Sequence, residues 1–163
     1  MNLQIKKITH QDTPIIESIL TEAVSWLDDK GVHQWEYKDV TWEAISELFR
    51  VEDFFIAYAD GNPAACMALI DYDPVFWENV PKGESLYIHK LAVRREFAGM
   101  GIAKSCIDFA KTRARSVGAT SLRLDCYKNR HKVRAIYEKE GFKFVCEKIL
   151  FGYYDASFYV CEL

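Results

Sequence analysis

Within this 163-residue chain, the stretch Gly99-Met100-Gly101-Ile102-Ala103 bears most directly on chemistry. It follows a short apolar run, Leu86 to Val93, that reads as a half-buried strand. Helical spacing starts right after it. Ala103, Cys106, Ile107, Ala110, Ala114 and Val117 share one face, with Lys104, Asp108, Lys111 and Arg115 opposite. A glycine turn that opens a helix leaves backbone N–H groups without partners. Those amides and the positive end of the helix dipole suit a phosphate or pyrophosphate. Two known phosphate binders are excluded. A P-loop needs glycine where Ala98 and Ala103 stand, and a Rossmann fingerprint needs glycine where Lys104 stands. On these residues alone, a plain strand-to-helix turn is the simpler reading. Two further groups have the right chemistry for proton transfer or cation binding. His89 carries an imidazole that titrates near neutrality. The segment Asp71 to Gly83 sets Asp71, Asp73 and Glu78 among Tyr72, Phe76 and Trp77. It is either a solvated acidic face or a mouth that attracts a cationic amine and contacts it through aromatic rings.

The elements that must position these groups follow in order. Leu3 to Ile8 reads as a strand. Asp12 or Thr13 caps a helix with Pro14 in its first turn and an apolar stripe of Ile15, Ile16, Ile19, Leu20, Ala23 and Leu27; Gly31 stops it. Thr41 caps a second short helix that runs through Phe49, with Trp42, Ile45 and Leu48 inward. Phe54 to Ala59 and Ala64 to Ile70 form a hairpin around Asp60-Gly61-Asn62-Pro63. After the central strand and helix, Ser121 to Tyr127 is a strand and His131 to Glu140 a helix stopped by Gly141. Phe142 to Leu150 and Ser157 to Leu163 form a final strand pair. The order is βααβββαβαββ. The expected fold class is α/β, with a mixed, twisted sheet of about seven strands flanked by helices.

Composition bounds the rest. The length fits one domain, 1–163, with a real core. Half the residues are hydrophobic, which argues against disorder. A net charge of −3 without a basic tract argues against nucleic acid as a partner. No apolar run is long enough to span a bilayer and the N-terminal stretch lacks a signal-peptide core, so a cytoplasmic protein without a membrane partner is expected. The five cysteines are scattered without C-x-x-C, which favours reduced thiols over disulfides or a metal site.

The strand ending in Leu91-Ala92-Val93, the turn from Ala98 to Ala103 and its helix resemble motif A of the GCN5-related N-acetyltransferases. Val133 to Phe142, with Tyr137 four residues before Gly141-Phe142, resembles that family's motif B. The resemblance implies a mixed sheet whose fourth and fifth strands splay apart to admit the pantetheine arm of coenzyme A. It implies acetyl-CoA as cofactor, held by Leu91, Ala92 and Val93 along the strand and by Ala98, Gly99, Met100, Gly101, Ile102, Ala103 and Lys104 at the turn. The family usually has Arg or Gln where this chain has Ala98, with Arg94, Arg95, Lys104 and Arg130 as candidates to supply charge instead. The usual motif-B asparagine maps onto Arg130. Tyr137 is then the general acid toward the departing sulfur, and His89 or Glu84 the general base. The loop after the first helix often lines the acceptor site in the family, which brings in Gln34 and Trp35, with Asp71 and Trp77 from the acidic-aromatic loop. The expected activity is transfer of an acetyl group to the primary amine of a small molecule, by direct attack in a ternary complex. A peptide or protein acceptor and a non-catalytic acyl-CoA-binding module are the alternatives. Relatives often dimerise, so a homodimer stays open.

Overall fold

The periodicities sort the chain into seven strands and four helices. They are β1 (Leu3–Lys7), α1 (Thr13–Asp29), α2 (Trp42–Ile45), β2 (Phe54–Ala59), β3 (Asn62–Ile70), β4 (Ser85–Val93), α3 (Ile102–Ser116), β5 (Ser121–Tyr127), α4 (His131–Lys139), β6 (Lys143–Leu150) and β7 (Tyr154–Glu162). The computed structural model describes residues Met1–Leu163. The strands make one mixed sheet in the order β1-β2-β3-β4-β5-β7-β6. The element order and the sheet class are those expected from the sequence. No helix is long and apolar enough to cross a membrane. The contacts divide into two compact units, Met1–Ala68 with Lys90–Cys106, and Leu69–His89 with Ile107–Leu163.

In the first unit, β1 and β3 both pair antiparallel with β2. Asp60 and Gly61 both take positive φ, 49° and 84°, at the β2–β3 turn. That is the two-residue turn whose twist matches the flanking strands. Asn62 and Pro63, expected in the turn, already belong to β3. The side chain of Asp12 accepts from the Thr9 backbone N–H at 2.7 Å just before α1. The helix then buries Ile16, Ile19, Leu20, Val24 and Leu27. α2 is shorter than its spacing suggests, ending at Ile45 rather than Phe49. Leu48 is 83% exposed, while Phe49 is buried. Past Ile45 the chain continues as a turn, with the Leu48 and Phe49 N–H groups both donating to the Ile45 carbonyl, and Phe49 meets Phe54 edge to face with ring centroids 5.7 Å apart; Trp42 approaches the same ring at 5.5 Å.

In the second unit, β5 runs antiparallel to β7 over its whole length, and β6 lies on the other side of β7. β4 and β5 run parallel with register Ser85↔Ser121, Leu86↔Leu122 and Tyr87↔Arg123, and the ladder stops there although β5 continues to Tyr127. Trp77, Tyr87, Ala156 and Phe158 form a buried cluster. Trp77 meets Phe158 edge to face at 5.2 Å. β7 starts at Tyr154, earlier than the expected Ser157, because Phe151 and Gly152, both at positive φ, turn the chain at once.

Candidate active site

In the first unit, the glycine turn forms as expected. Gly99 and Gly101 have φ of 79° and 80°, and a side chain built at either meets nothing within 4 Å. The backbone there faces open space. Ser105 donates to the Gly101 carbonyl at 3.0 Å, which makes Gly101 the cap of α3. The amides of Ile102 and Ala103 lie in the first helical turn and have no carbonyl behind them to bond. Met100 differs from expectation. Its N–H is used by the Phe97 carbonyl at 3.3 Å. The donor set is therefore Gly99, Gly101, Ile102 and Ala103, without Met100. Ala98 and Lys104 are exposed, and Ile102 is buried beneath the turn.

Arg94 and Arg95 do not serve this turn. The Arg94 guanidinium binds the Glu22 carboxylate at 2.6 Å, the Ser18 hydroxyl at 2.8 Å and the Pro63 carbonyl at 3.0 Å. The Arg95 backbone N–H donates to the other Glu22 oxygen, and its guanidinium stacks 3.9 Å from the Trp26 ring centre. Both hold the start of this loop to α1.

Leu91 and Val93 are half-buried and Ala92 is buried at the end of β4. Just before them Lys90 takes φ of 53°, a left-handed conformation that is rare for a residue with a side chain and marks local strain. Its ammonium sits 4.8 Å from the centre of the Trp35 ring. Burial lowers the Lys90 pKa, with Asp39 opposing. Lys90 is the residue that the sequence reading missed on this strand. Trp35 also lines a cavity of about 330 Å³ with Asp28, His33, Glu36, Tyr37 and Lys38. Gln34, half-buried, is not among those lining residues.

In the second unit, α4 and its stop place Tyr137. Gly141, at φ of 92°, ends the helix and turns Phe142 back under it. The Tyr137 ring packs at 5.8 Å from Phe142 and 6.4 Å from Tyr159. Burial, with Cys126 and Asp125 adding to it, raises the Tyr137 pKa, so the phenol keeps its proton at neutral pH. Arg130 stands half-buried at the residue before α4, and desolvation lowers its pKa. The Cys126 thiol is pushed up to about 12, chiefly by burial and then by Asp125. At neutral pH it is a poor nucleophile. All five cysteines are free.

The acidic loop resolves differently from expectation. Asp71 is exposed, and its carbonyl accepts from Gly83 at 2.9 Å. Trp77 is a core residue with its indole against Phe158 and Tyr87, so it presents no face to an acceptor. The buried acid of this loop is Asp73, which the residue pattern alone does not set apart from Asp71 and Glu78. It is 7% exposed and its Oδ2 lies 2.8 Å from His89 Nε2. Asp125, from β5, completes the group: ligand-type atoms of Asp73, His89 and Asp125 all lie within 4.8 Å of one another. The Tyr154 hydroxyl donates to Asp125 at 2.6 Å. Phe76 stands 5.8 Å from the His89 ring and 6.4 Å from Tyr154, which meets Tyr127 at 4.4 Å. Glu84, the other candidate base, is exposed at the opposite end of β4 and lies 3.9 Å from Arg123. It has no part in the His89 group.

Desolvation raises the Asp125 pKa, with Asp73 adding to it and His89 and Tyr154 opposing. A carboxyl raised on folding binds its proton more tightly in the native state. Its stability contribution is therefore full at low pH and is lost as pH rises from the unfolded value through the folded one. Asp125→Asn should be more stable than the parent at pH 7, with the gap closing below pH ~4. Paired urea titrations at both pH values measure this, and equal gaps would contradict it.

The chain belongs to the Acetyltransferase (GNAT) family, whose model matches residues 17–142. Acetyl-CoA-dependent N-acetylation is the general activity of this fold. The chain is 28% identical over 142 residues to the uncharacterized N-acetyltransferase YesJ of Bacillus subtilis, covering 83% of this chain and 79% of that one. A GNAT-family acetyltransferase of Listeria monocytogenes superposes with a TM-score of 0.79 at 22% identity, over 99% of this chain and 95% of the other. The PaiA N-acetyltransferase of Thermoplasma acidophilum, solved in complex with coenzyme A, superposes with a TM-score of 0.77 at 18% identity over 100% of both chains. These structural matches carry the fold.

Proposed function

We propose that residues 1–163 act as one acetyl-CoA-dependent N-acetyltransferase domain, on the primary amine of a small molecule, by direct attack in a ternary complex. The open glycine turn carries this reading. Two glycines at positive φ, with nothing near a built side chain, put the amides of Gly99, Gly101, Ile102 and Ala103 at a helix N-terminus that favours negative charge. These donors fit the pyrophosphate of coenzyme A without help from Ala98. Leu91, Ala92 and Val93 are the strand backbone for the pantetheine arm. Once bound, acetyl-CoA supplies the acetyl group as an activated thioester.

The protein's own groups then have distinct tasks. His89 removes the ammonium proton, so that a neutral amine attacks. Tyr137, which keeps its proton at neutral pH, is the donor to the departing sulfur. The raised Cys126 thiol supports attack without an acyl-enzyme. The Trp35 cavity, at about 330 Å³, supports a small acceptor, because it falls in the size range of small-molecule sites.

Titration of the protein with acetyl-CoA, beside ATP and NAD controls, tests the reading by calorimetry or thermal shift. Selective stabilisation by acetyl-CoA is expected. Gly101→Ala should weaken acetyl-CoA binding about tenfold, since a left-handed alanine costs roughly 1–2 kcal/mol. Equal responses to all three nucleotides would end the proposal. Binding without thiol release for any primary amine would leave a non-catalytic module.

A further inference from the structure

We infer that Asp73 is the positioning residue for His89: it holds the imidazole as the Nε2–H tautomer and leaves Nδ1 as the basic nitrogen. The inference deepens the proposed function and rests on His89 being its base.

The geometry begins with the loop. The Asp73 carbonyl accepts from the Trp77 N–H at 2.8 Å, and the Trp77 ring is locked into the core against Phe158 and Tyr87. Farther along, Gly83 closes the loop onto the Asp71 carbonyl at 2.9 Å. The backbone of Asp73 is thus pinned on both sides by contacts unrelated to His89. Its carboxylate is carried to a fixed point, 2.8 Å from Nε2. A carboxylate accepts hydrogen bonds and donates none, so Nε2 must carry the proton of this bond. In the neutral ring the lone pair then lies on Nδ1.

The surroundings suit a ring that gains a proton during the reaction. Asp73 reaches it from the loop. Asp125 reaches the group from β5, and its Oδ2 is already filled by the Tyr154 hydroxyl from β7 at 2.6 Å. Phe76 supplies a ring 5.8 Å away. An imidazolium formed here has two carboxylates within reach and the Phe76 ring beside it, where partial burial strengthens their attraction. The side chains of His89 and Asp73 are 15% and 8% exposed, so their bond is shielded more than a surface pair would be. A carboxylate that fixes tautomer and ring orientation without itself taking the proton is an established way to build a general base.

The test labels the histidines of the full chain with ¹⁵N and reads the tautomer of His89 by long-range proton–nitrogen NMR. The chain has four histidines, so His89→Gln identifies the signal. The neutral parent ring should show protonated Nε2. Asp73→Asn should give mixed tautomers, because an amide both donates and accepts. Protonated Nδ1 in the parent would overturn the inference without any variant. An unchanged tautomer in Asp73→Asn, with an unchanged thermal melt, would overturn it too.

Kinetics form the second arm, with acetyl-CoA and a panel of primary amines and thiol release as the readout. Asp73→Asn should lower kcat/KM about 10²-fold and move its pH profile, while KM for acetyl-CoA stays constant. Full activity with an unmoved profile would sink the inference and leave the proposed function standing. A parent that releases no thiol with any amine would sink the functional reading, and the tautomer signals would still decide what Asp73 does to His89.

Discussion

Tyr137→Phe is expected to abolish most acetyl transfer while acetyl-CoA binding stays near that of the parent. The substitution removes one hydroxyl and keeps the ring that packs on Phe142 and Tyr159. Packing, and with it the end of α4, should survive. What disappears is a proton donor that burial holds in its protonated form. Losing a general acid costs about 10²–10⁴-fold in rate. Turnover should fall in that range at saturating acetyl-CoA, with KM for the cofactor little changed. The control is Tyr137→Ala, which removes ring and hydroxyl together and should also lower the melting temperature. If the phenylalanine variant turned over like the parent, Tyr137 would be a packing residue and another donor would be needed. A variant that lost acetyl-CoA affinity would instead place the hydroxyl in binding.

Phe54→Ala should cost about 3–5 kcal/mol of stability, the range for removing a fully buried phenylalanine. Phe54 is 0% exposed at the start of β2. Its ring is the meeting point of Trp42 and Phe49, both edge-on. Truncation would leave a cavity and strand two aromatic partners. Domains of this size are stable by only about 5–15 kcal/mol, so the loss is a large share of the total. Urea unfolding of parent, Phe54→Leu and Phe54→Ala should rank in that order. A cost for alanine below about 1 kcal/mol would mean that the two neighbouring rings collapse into the space.

The two effects differ in how legible their residues were. Phe54 opens an apolar run, and the turn residues after it placed that run in a strand. Its neighbour Phe49 is less legible. Trp42, Ile45 and Leu48 share helical spacing, so Leu48 was expected inward, yet the chain leaves the helix and delivers Phe49 to Phe54. Spacing describes a helix only while the helix lasts, and beyond Ile45 it is Phe49 rather than Leu48 that is buried. Tyr137 was picked out by the motif around Gly141-Phe142. The fold explains why that pair accompanies it, since Gly141 takes a positive φ and tucks Phe142 beneath the ring.

The candidate base was the least legible part. Asp71, Asp73 and Glu78 are equivalent as letters in a polar, aromatic loop. Asp73 is set apart by a bond to a residue sixteen positions away, and Asp125 joins them from a strand farther along. Arg94 is a similar case. It looks like a surface charge beside the glycine turn, but its partners on α1 are more than seventy positions earlier. Trp77 read as a lining residue because it sits among acids, and tertiary packing put it in the core.

The sequence by itself determined the order of elements, the left-handed glycines at the head of α3, and the family, because all three rest on local spacing and backbone permission. Only the tertiary structure decided which acid meets His89, that Arg94 and Arg95 turn to α1 rather than to the glycine turn, and that Lys90 is strained in β4 beneath Trp35. Those outcomes depend on strands and loops brought together across long stretches of chain, where side-chain type says what a residue can do but not whom it meets.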